Sequence, residues 1–238
     1  MYVLAIETTG AYASVALMKD DKLIGHVSGN DRFSHLQNLM PQVETVVKGN
    51  GLSLGDIELI AVSNGPGSFT GIRIGVSSAR ALSQVLGIPC VAVSSLEALA
   101  LRAEKDAKAQ GVLICPMLDA RRSQVYAGGY VLESGSLKEA IKAGPYMLDE
   151  FLEAASEYEK VFLMGDAVDT YGEKIRTIRP NGTETCSLDI RYQDAVTVAI
   201  LGIKIFGEKG GLSYNEVEPE YMRIAEAERK LREKQQRG

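Results

Sequence analysis

The chain has 238 residues, of which 45% are hydrophobic, enough to bury one large core or two smaller ones. Its net charge of −5 argues against a large autonomous nucleic-acid surface, because such surfaces depend on Lys and Arg. The three cysteines form no CxxC pair, and no apolar run approaches the roughly 20 residues of a membrane span. We therefore expect a cytoplasmic protein without a disulfide framework or a membrane segment.

The first half predicts an antiparallel meander followed by two helices. Residues 2–28 have the pattern of three strands, separated by the ETTG turn and by an Asp-Asp turn. Apolar residues at helical spacing predict a first helix over SHLQNLMPQVETVV, 34–47. The strand IELIAVS then leads into the glycine-rich stretch NGPGSFTGIRIG, 64–75, from which a second helix extends to about Leu86.

The second half repeats this order of elements. Residues 112–133 predict a strand, an acidic turn and a strand, with Asp119 in the place that Glu7 has in the first half. KVFLMGDAVDTYGEKI, 160–175, predicts a strand, a glycine turn and a helix. The repeated order predicts two copies of one α/β plan.

A charged stretch, AEKDAKAQG, indicates the boundary between the two copies. We expect a first subdomain at 1–104, a second at 105–214, and a C-terminal link with a basic helical tail at 215–238. The tail is expected to pack back on the first subdomain.

The glycine-rich stretch is open to several interpretations. GxxxxGK[ST] is absent, which excludes a P-loop, whereas a glycine turn that opens a helix can still hold an anion. Beyond the turn, small residues recur at every fourth position and form a strip along one helix face: Gly71, Gly75, Ala79 and Ser83. From the residues alone, this strip contacts either a partner helix or the chain's own core.

Few side chains are candidates for binding a ligand. The chain has two histidines and no HExxH motif, so we predict no metal centre. Glu7, Thr8 and Thr9 occupy the first turn and Asp119 the equivalent second turn. Their carboxylates and hydroxyls are candidates for weak contacts to an anion or a nucleotide.

Five segments of the chain form a recognisable set: LAIETTGAYASVAL, SNGPGSFTGIRIGVSSARAL, PMLDARRSQVYAG, MGDAV and PEYMR. In this order, and over nearly the whole chain, they closely resemble the TsaB (YeaZ) family. The resemblance implies the duplicated α/β fold of actin, Hsp70 and sugar kinases (ASKHA, RNase H-like), with two related subdomains. It also implies a role in making N6-threonylcarbamoyladenosine at position 37 of tRNAs that read codons beginning with A.

Within that pathway the resemblance implies an accessory subunit and no enzyme activity of its own. The TsaD subunit transfers threonylcarbamoyl from threonylcarbamoyl-AMP to the tRNA, TsaB is its required partner, and the ATPase TsaE joins them. We expect a heterodimer with TsaD, a homodimer in its absence, and contact with tRNA only through the complex. No cofactor is expected to bind tightly, and ATP or ADP is expected to bind only in the complex.

The resemblance places the partner surface on the two helices of the first half. The implied interface combines apolar residues of the first helix with the small-residue strip of the second: Leu36, Leu39, Met40, Val43, Gly71, Gly75, Ala79 and Ser83.

One local comparison separates this chain from the transferase. TsaD-like proteins carry HLEGH after a related glycine-helix stretch, and the two histidines of that motif bind the active-site metal. The corresponding segment here is SLEAL, Ser95 to Leu99, in which a poor ligand and a non-ligand replace the histidines. The alternative is an autonomous actin-fold enzyme, either a small-molecule kinase or a metallopeptidase.

Overall fold

The computed structural model of the protein describes residues 1–29, 35–104, 111–179 and 181–222. These residues form ten strands: β1 Tyr2–Glu7, β2 Ser14–Lys19, β3 Lys22–Ser28, β4 Leu59–Gly65, β5 Cys90–Ser94, β6 Val112–Asp119, β7 Gln124–Glu133, β8 Ser136–Met147, β9 Lys160–Met164 and β10 Thr183–Thr185. The same residues form six α-helices: α1 His35–Gly49, α2 Phe69–Leu86, α3 Ser95–Arg102, α4 Leu148–Ala154, α5 Asp166–Ile178 and α6 Ala195–Lys209.

The first sheet has the strand order β3-β2-β1-β4-β5. Its first three strands form the antiparallel meander that the sequence predicts, and β4 and β5 run parallel to β1. Alternate residues of β1 face opposite sides of the sheet, so that Leu4 packs against α1 and α2 while Val3 packs against α6. Helices therefore cover both faces, as the apolar strands require.

The second sheet repeats this order as β8-β7-β6-β9-β10. Strands β6, β7 and β8 are antiparallel, and β9 and β10 run parallel to β6. One face of the sheet packs against α4 and α5 through residues such as Phe151 and Ile175, and the other face packs against α3 through Leu96 and Leu99. The predicted fold class, a duplicated actin-like α/β fold, is confirmed.

The last helix crosses from the second half to the first. The expected boundary at residue 214 assigns α6 to the second subdomain, but Val198 and Ala199 of α6 pack on the first sheet against Val3 and Ala61. This part of the expected division is wrong. The apolar pattern of α6 predicts a buried helix without indicating which of two similar sheets it covers.

The segment after α6 returns along the first half. Leu212 pairs with Cys90 at the edge of the first sheet, and the Glu220 N–H donates to the Asn64 carbonyl at 2.8 Å. Val217 is buried in the core between the first sheet and helices α1 and α2, which we call the first core. The basic tail beyond Met222 lies outside the described residues. Within the described part of the chain, no helix is both long enough and apolar enough to cross a bilayer.

Candidate functional site

A polar cavity of about 460 Å³ lies between the two halves, where the first strand of each sheet ends. The turn after β1 contributes Thr9 and Gly10 to its wall, and the turn after β6 contributes Asp119 and Arg121. The beginnings of α2 and α5, Tyr126 of β7 and Gln193 also contribute to the lining. Equivalent elements of the two sheets therefore face each other across a space large enough for a small ligand.

The first wall is closed by tight packing between the β1–β2 turn and the start of α2. The Ser68 N–H donates to the Thr9 carbonyl at 2.8 Å, and the Thr8 hydroxyl donates to the Gly71 carbonyl at 2.7 Å. A Cβ at Gly71 would lie 2.0 Å from the Thr8 carbonyl oxygen, and one at Gly67 would lie 2.5 Å from that of Thr9. The glycines therefore allow the helix to contact the turn directly.

Two of the predicted anion contacts, Glu7 and Thr8, lie beneath this wall and not on it. Both residues are 0% exposed. Glu7 Oε1 accepts from the N–H and the hydroxyl of Thr9 at 2.5 and 2.6 Å. Burial raises the pKa of the Glu7 carboxyl against the hydrogen bonds of Thr9 and Ser63, which lower it. The prediction is wrong for Glu7 and Thr8, because neither residue lines the cavity, whereas Thr9 and Asp119 do.

The second wall is held by carboxylates. Asp119 Oδ1 accepts from the Arg121 N–H at 2.7 Å and from the Tyr171 hydroxyl at 2.7 Å. The Asp119 N–H in turn donates to Asp166 Oδ1 at 2.8 Å. Burial raises the pKa of Asp166 to about 6, and the nearby carboxylates of Asp119 and Asp169 raise it further against that hydrogen bond. The start of α5 is thus joined to the β6–β7 turn through a side chain.

Arg121, Asp166 and Gln193 are among the cavity residues that the sequence did not predict. Asp166 could have been found from the sequence, because it follows Gly165 at the start of α5, just as the start of α2 follows a glycine turn. Gln193 is nearly buried, and its amide lies 2.5 Å from the place of a Cβ on Gly10. No sequence pattern singles it out, since tertiary packing alone brings it there.

The small-residue strip of α2 faces the first sheet. Its four members are all buried: Gly71, Gly75, Ala79 and Ser83. A Cβ added at Gly75 would lie 2.3 Å from the Thr8 hydroxyl oxygen and 3.6 Å from Val62. The prediction that the strip lies on an outer partner surface is wrong, and the alternative, burial in the chain's own core, is confirmed.

The apolar residues of α1 are divided between core and surface. Leu39 and Val43 are each 1% exposed and belong to the first core, so their prediction as surface contacts is wrong. Leu36 is 77% exposed and Met40 44%. Met40 also borders an apolar groove of about 500 Å³ between α1 and the segment 52–54. The outer face of α1 is therefore the part of the predicted partner surface that is accessible.

The segment Ser95–Leu99 begins α3 and is packed as core. The Ser95 hydroxyl donates to the Pro66 carbonyl, and Leu99 is fully buried against the second sheet. Neither side chain fits a metal ion, since one oxygen is already used and the other side chain has no donor atom. Among the described residues, no three His, Cys, Asp or Glu side chains form a group that could hold a metal.

Sequence comparisons relate the chain to proteins of tRNA modification. A family model described as TsaD, tRNA N6-adenosine threonylcarbamoyltransferase, matches residues 31–200. The chain is 32% identical to the tRNA threonylcarbamoyladenosine biosynthesis protein TsaB of Bacillus subtilis, over 99% of this chain and 100% of that protein. It is 28% identical to TsaB of Escherichia coli, over 97% and 98% of the two chains.

A solved structure from Pseudomonas aeruginosa has the same fold. That protein, described as uncharacterized with similarity to peptidase YeaZ, is 26% identical to this chain and superimposes with a TM-score of 0.78. The match covers 93% of this chain and 99% of the other. The similarity thus includes both sheets and the helices that form the cavity.

Proposed function

This chain belongs to the TsaB (YeaZ) family, and we propose that it is a non-catalytic subunit required to form N6-threonylcarbamoyladenosine in tRNA. In this role it acts with TsaD and TsaE, and TsaD transfers threonylcarbamoyl from threonylcarbamoyl-AMP to adenosine 37 of tRNAs that read ANN codons. The full-length similarity to the TsaB proteins supports this assignment. A tRNA substrate also implies a cytoplasmic location.

The packing of the Ser95–Leu99 segment is the observation that carries the non-catalytic part of the proposal. The TsaD model matches a region that includes this segment. The family resemblance aligns the two histidines of the transferase motif HLEGH with Ser95 and Leu99. Here the Ser95 hydroxyl donates a hydrogen bond to the Pro66 carbonyl, and Leu99 is a core residue. A metal-assisted transfer at this position would require both side chains to be replaced and the start of α3 to be repacked.

The cavity is better suited to weak binding of a nucleotide than to the active site of an autonomous kinase or metallopeptidase. At the first wall, the Ser68 and Gly71 amides are already hydrogen-bonded to Thr9 and to the Ser68 hydroxyl. Glu7, the counterpart of Asp119, is fully buried and does not line the cavity. We infer that the isolated chain holds no cofactor tightly and that ATP or ADP binds only when a partner completes the site.

The outer face of α1 is the surface that we assign to TsaD. Leu36 and Met40 expose apolar side chains beside an apolar groove, and such a face gains free energy when a partner covers it. The same face would form the homodimer when TsaD is absent. The two assemblies are then mutually exclusive.

Reconstitution with purified components tests the proposed role. This chain, TsaD, TsaE, threonylcarbamoyl-AMP, ATP and tRNA are combined, and each is omitted in turn while modified adenosine is measured. We expect modification to require both this chain and TsaD. Efficient modification by this chain without TsaD would identify it as the enzyme and overturn the proposal.

A charge on the outer face of α1 tests the partner surface. Leu36→Asp with Met40→Asp should leave the melting temperature within about 2 °C, because both side chains are exposed. Affinity for TsaD and for a second copy should each fall at least about 10-fold, because two buried charges would be unpaired in the interface. The control is Ser156→Asp with Thr177→Asp, which adds the same charge at two exposed positions of the second half. Unchanged binding of both partners would place the interface elsewhere.

A further inference from the structure

Five described residues other than glycine have a left-handed backbone: Asp20, Arg121, Arg122, Ser123 and Ser134. Asp20 and Ser134 are single residues in the tight β2–β3 and β7–β8 turns. The other three are consecutive, with φ of 64°, 55° and 59°, and lie in the β6–β7 turn. Such conformations are strained for residues with a Cβ, so three in a row require an explanation.

The β6–β7 turn calls for a left-handed backbone, but its residues are poorly suited to one. The Gln124 N–H closes the turn on the Arg121 carbonyl at 3.0 Å, with Arg122 and Ser123 at the two central positions. Positive φ at both central positions is the requirement of a type I′ turn, which favours Asn-Gly. Asp119 Oδ1 compensates by accepting from Arg121. A strained turn that its surroundings hold in place is a sign of function.

Arginine and aromatic side chains line the cavity on two sides or lie next to residues that line it, and we call this region the mouth of the cavity. Arg121 lines the cavity from the β6–β7 turn, and Arg122 lies exposed beside it. From the side of α2, Phe69 lines the same cavity, with the Arg73 guanidinium 4.0 Å from its ring centroid. Tyr221 stacks on Phe69 at 4.6 Å between ring centroids. Guanidinium groups recognise phosphate oxygens, and aromatic rings stack on bases.

We propose that this mouth, with Arg121 and Arg122 on one side and the Phe69–Arg73–Tyr221 stack on the other, binds single-stranded RNA. The two arginines contact neighbouring phosphates, and the aromatic stack contacts a base. Arg122 lies outside the lining of the cavity, which suits a chain that passes the mouth better than a small ligand inside it. The identity of the RNA as tRNA rests on the proposed function. Contact with tRNA is then direct, although it occurs within the complex.

Salt dependence of tRNA affinity tests the phosphate contacts in the purified complex of this chain with TsaD. Arg121→Gly with Arg122→Gly suits the backbone, since glycine adopts both φ values, and should raise the melting temperature by about 2–4 °C. The slope of log K against log salt should become shallower by roughly 1.4, about 0.7 for each lost phosphate contact. Affinity at low salt should fall at least about 10-fold.

Two controls separate charge and strain from the site itself. Lys160→Ala with Arg176→Ala removes the same charge from exposed positions of β9 and α5 and should leave the slope unchanged. Ser134→Gly relieves one left-handed residue in the β7–β8 turn and should also leave tRNA affinity unchanged. A control that weakens tRNA binding as much as the Arg121 and Arg122 change would overturn the proposal.

Tyr221→Ala tests the base contact separately. Loss of one stacking platform should lower tRNA affinity about 5- to 150-fold without changing the salt slope, because no charge is removed.

Unchanged affinity and slope in the variant with Arg121→Gly and Arg122→Gly would contradict the proposal. So would loss of ADP binding, measured by calorimetry, with intact tRNA binding, which would assign the arginines to a free nucleotide. A different result would contradict the proposed function as a subunit, namely normal tRNA modification when this chain is omitted.

Discussion

The two turns at the cavity wall follow equivalent strands, yet they are held in different ways. In the first half the backbone of α2 contacts the turn directly, through the Ser68 N–H and the Thr9 carbonyl. In the second half the Asp166 side chain makes the corresponding contact, by accepting from the Asp119 N–H. The turn after β1 is therefore held by backbone groups, and the turn after β6 by the carboxylates of Asp119 and Asp166.

This difference teaches how a duplicated fold can keep one functional face. Direct backbone contact leaves no room for a side chain at Gly67 or Gly71, so the first turn is sealed. In the second half Gly165 also packs closely, with a Cβ there 2.1 Å from the Met117 carbonyl oxygen of β6, but the Asp166 carboxylate makes the hydrogen bond to the turn, and Arg121 lines the cavity. The first wall should therefore be sensitive to added volume, and the second to charge, pH and backbone strain.

Gly71→Ala should have the largest effect, because the new Cβ would lie 2.0 Å from the Thr8 carbonyl oxygen. Helix and turn must separate, and we expect the free energy of unfolding to fall by about 3 kcal/mol or more. Urea denaturation measures it. Gly207→Ala is the matched control, since that helical position has nothing within 4 Å and should be neutral or up to about 1 kcal/mol more stable. Equal effects at both positions would refute the sealed first wall.

Asp166→Asn should remove a pH-dependent cost from the second wall. The folded pKa of about 6 lies above the ordinary value of 3.8, so between these values the folded state holds a proton that the unfolded state releases. Stability is therefore lost as pH rises from about 4 to 6. Asparagine keeps an oxygen for the Asp119 N–H but cannot ionise. We expect the variant to be about 2 kcal/mol more stable than the parent at pH 7 and equal to it near pH 3.5.

Unfolding free energies of parent and variant, measured at intervals from pH 3.5 to 7, give this difference directly. Asp149→Asn is the control, because Asp149 is exposed and pairs only with Lys174 among the described residues. A stability difference at Asp166 that does not change with pH would mean that its carboxyl is not held in the protonated form by the fold.

Asp119→Ala should cost about 1.5 kcal/mol of unfolding free energy, since Oδ1 accepts from both the Arg121 N–H and the Tyr171 hydroxyl. Tyr171→Phe removes only the second hydrogen bond and should cost about 1 kcal/mol. In the double variant the effect of Tyr171→Phe should nearly vanish, because its partner is already gone. Chemical denaturation of all four proteins gives the coupling, and simple additivity would show that this hydrogen bond does not hold the turn.

The duplicated order of strands and helices could be predicted from the sequence, because strand and helix periodicities are local signals. The residues against which a helix packs are set by the tertiary structure and not by local sequence. The spacing of Gly71 and Gly75 indicates a strip of small residues, but only the tertiary structure shows that Thr8 fills it. The exposed apolar residues of α1 have the same spacing as the buried ones, so Leu36 and Leu39 could not be separated by pattern.

The cavity was only half predictable for a similar reason. Thr9 and Asp119 follow strands whose ends can be identified in the sequence, and both line the cavity. Arg121 and Arg122 belong to a turn without glycine, asparagine or proline, so no turn signature reveals their left-handed backbone. The function of this turn is visible only when its conformation is known.

Ser123→Gly is expected to have the smallest effect and the opposite sign. Glycine adopts a φ of 59° without strain, so the variant should be about 0.5–1 kcal/mol more stable, as measured by thermal unfolding, while both arginines stay in place. The reverse change at the first wall, Gly67→Ala, should lower stability, because its Cβ would lie 2.5 Å from the Thr9 carbonyl oxygen. Introducing a glycine would then stabilise the second turn, whereas removing a glycine would destabilise the first wall. If Ser123→Gly were instead destabilising, the second turn would not be strained. Backbone strain would then no longer indicate a binding role for Arg121 and Arg122, and a role of these residues in folding would have to explain them.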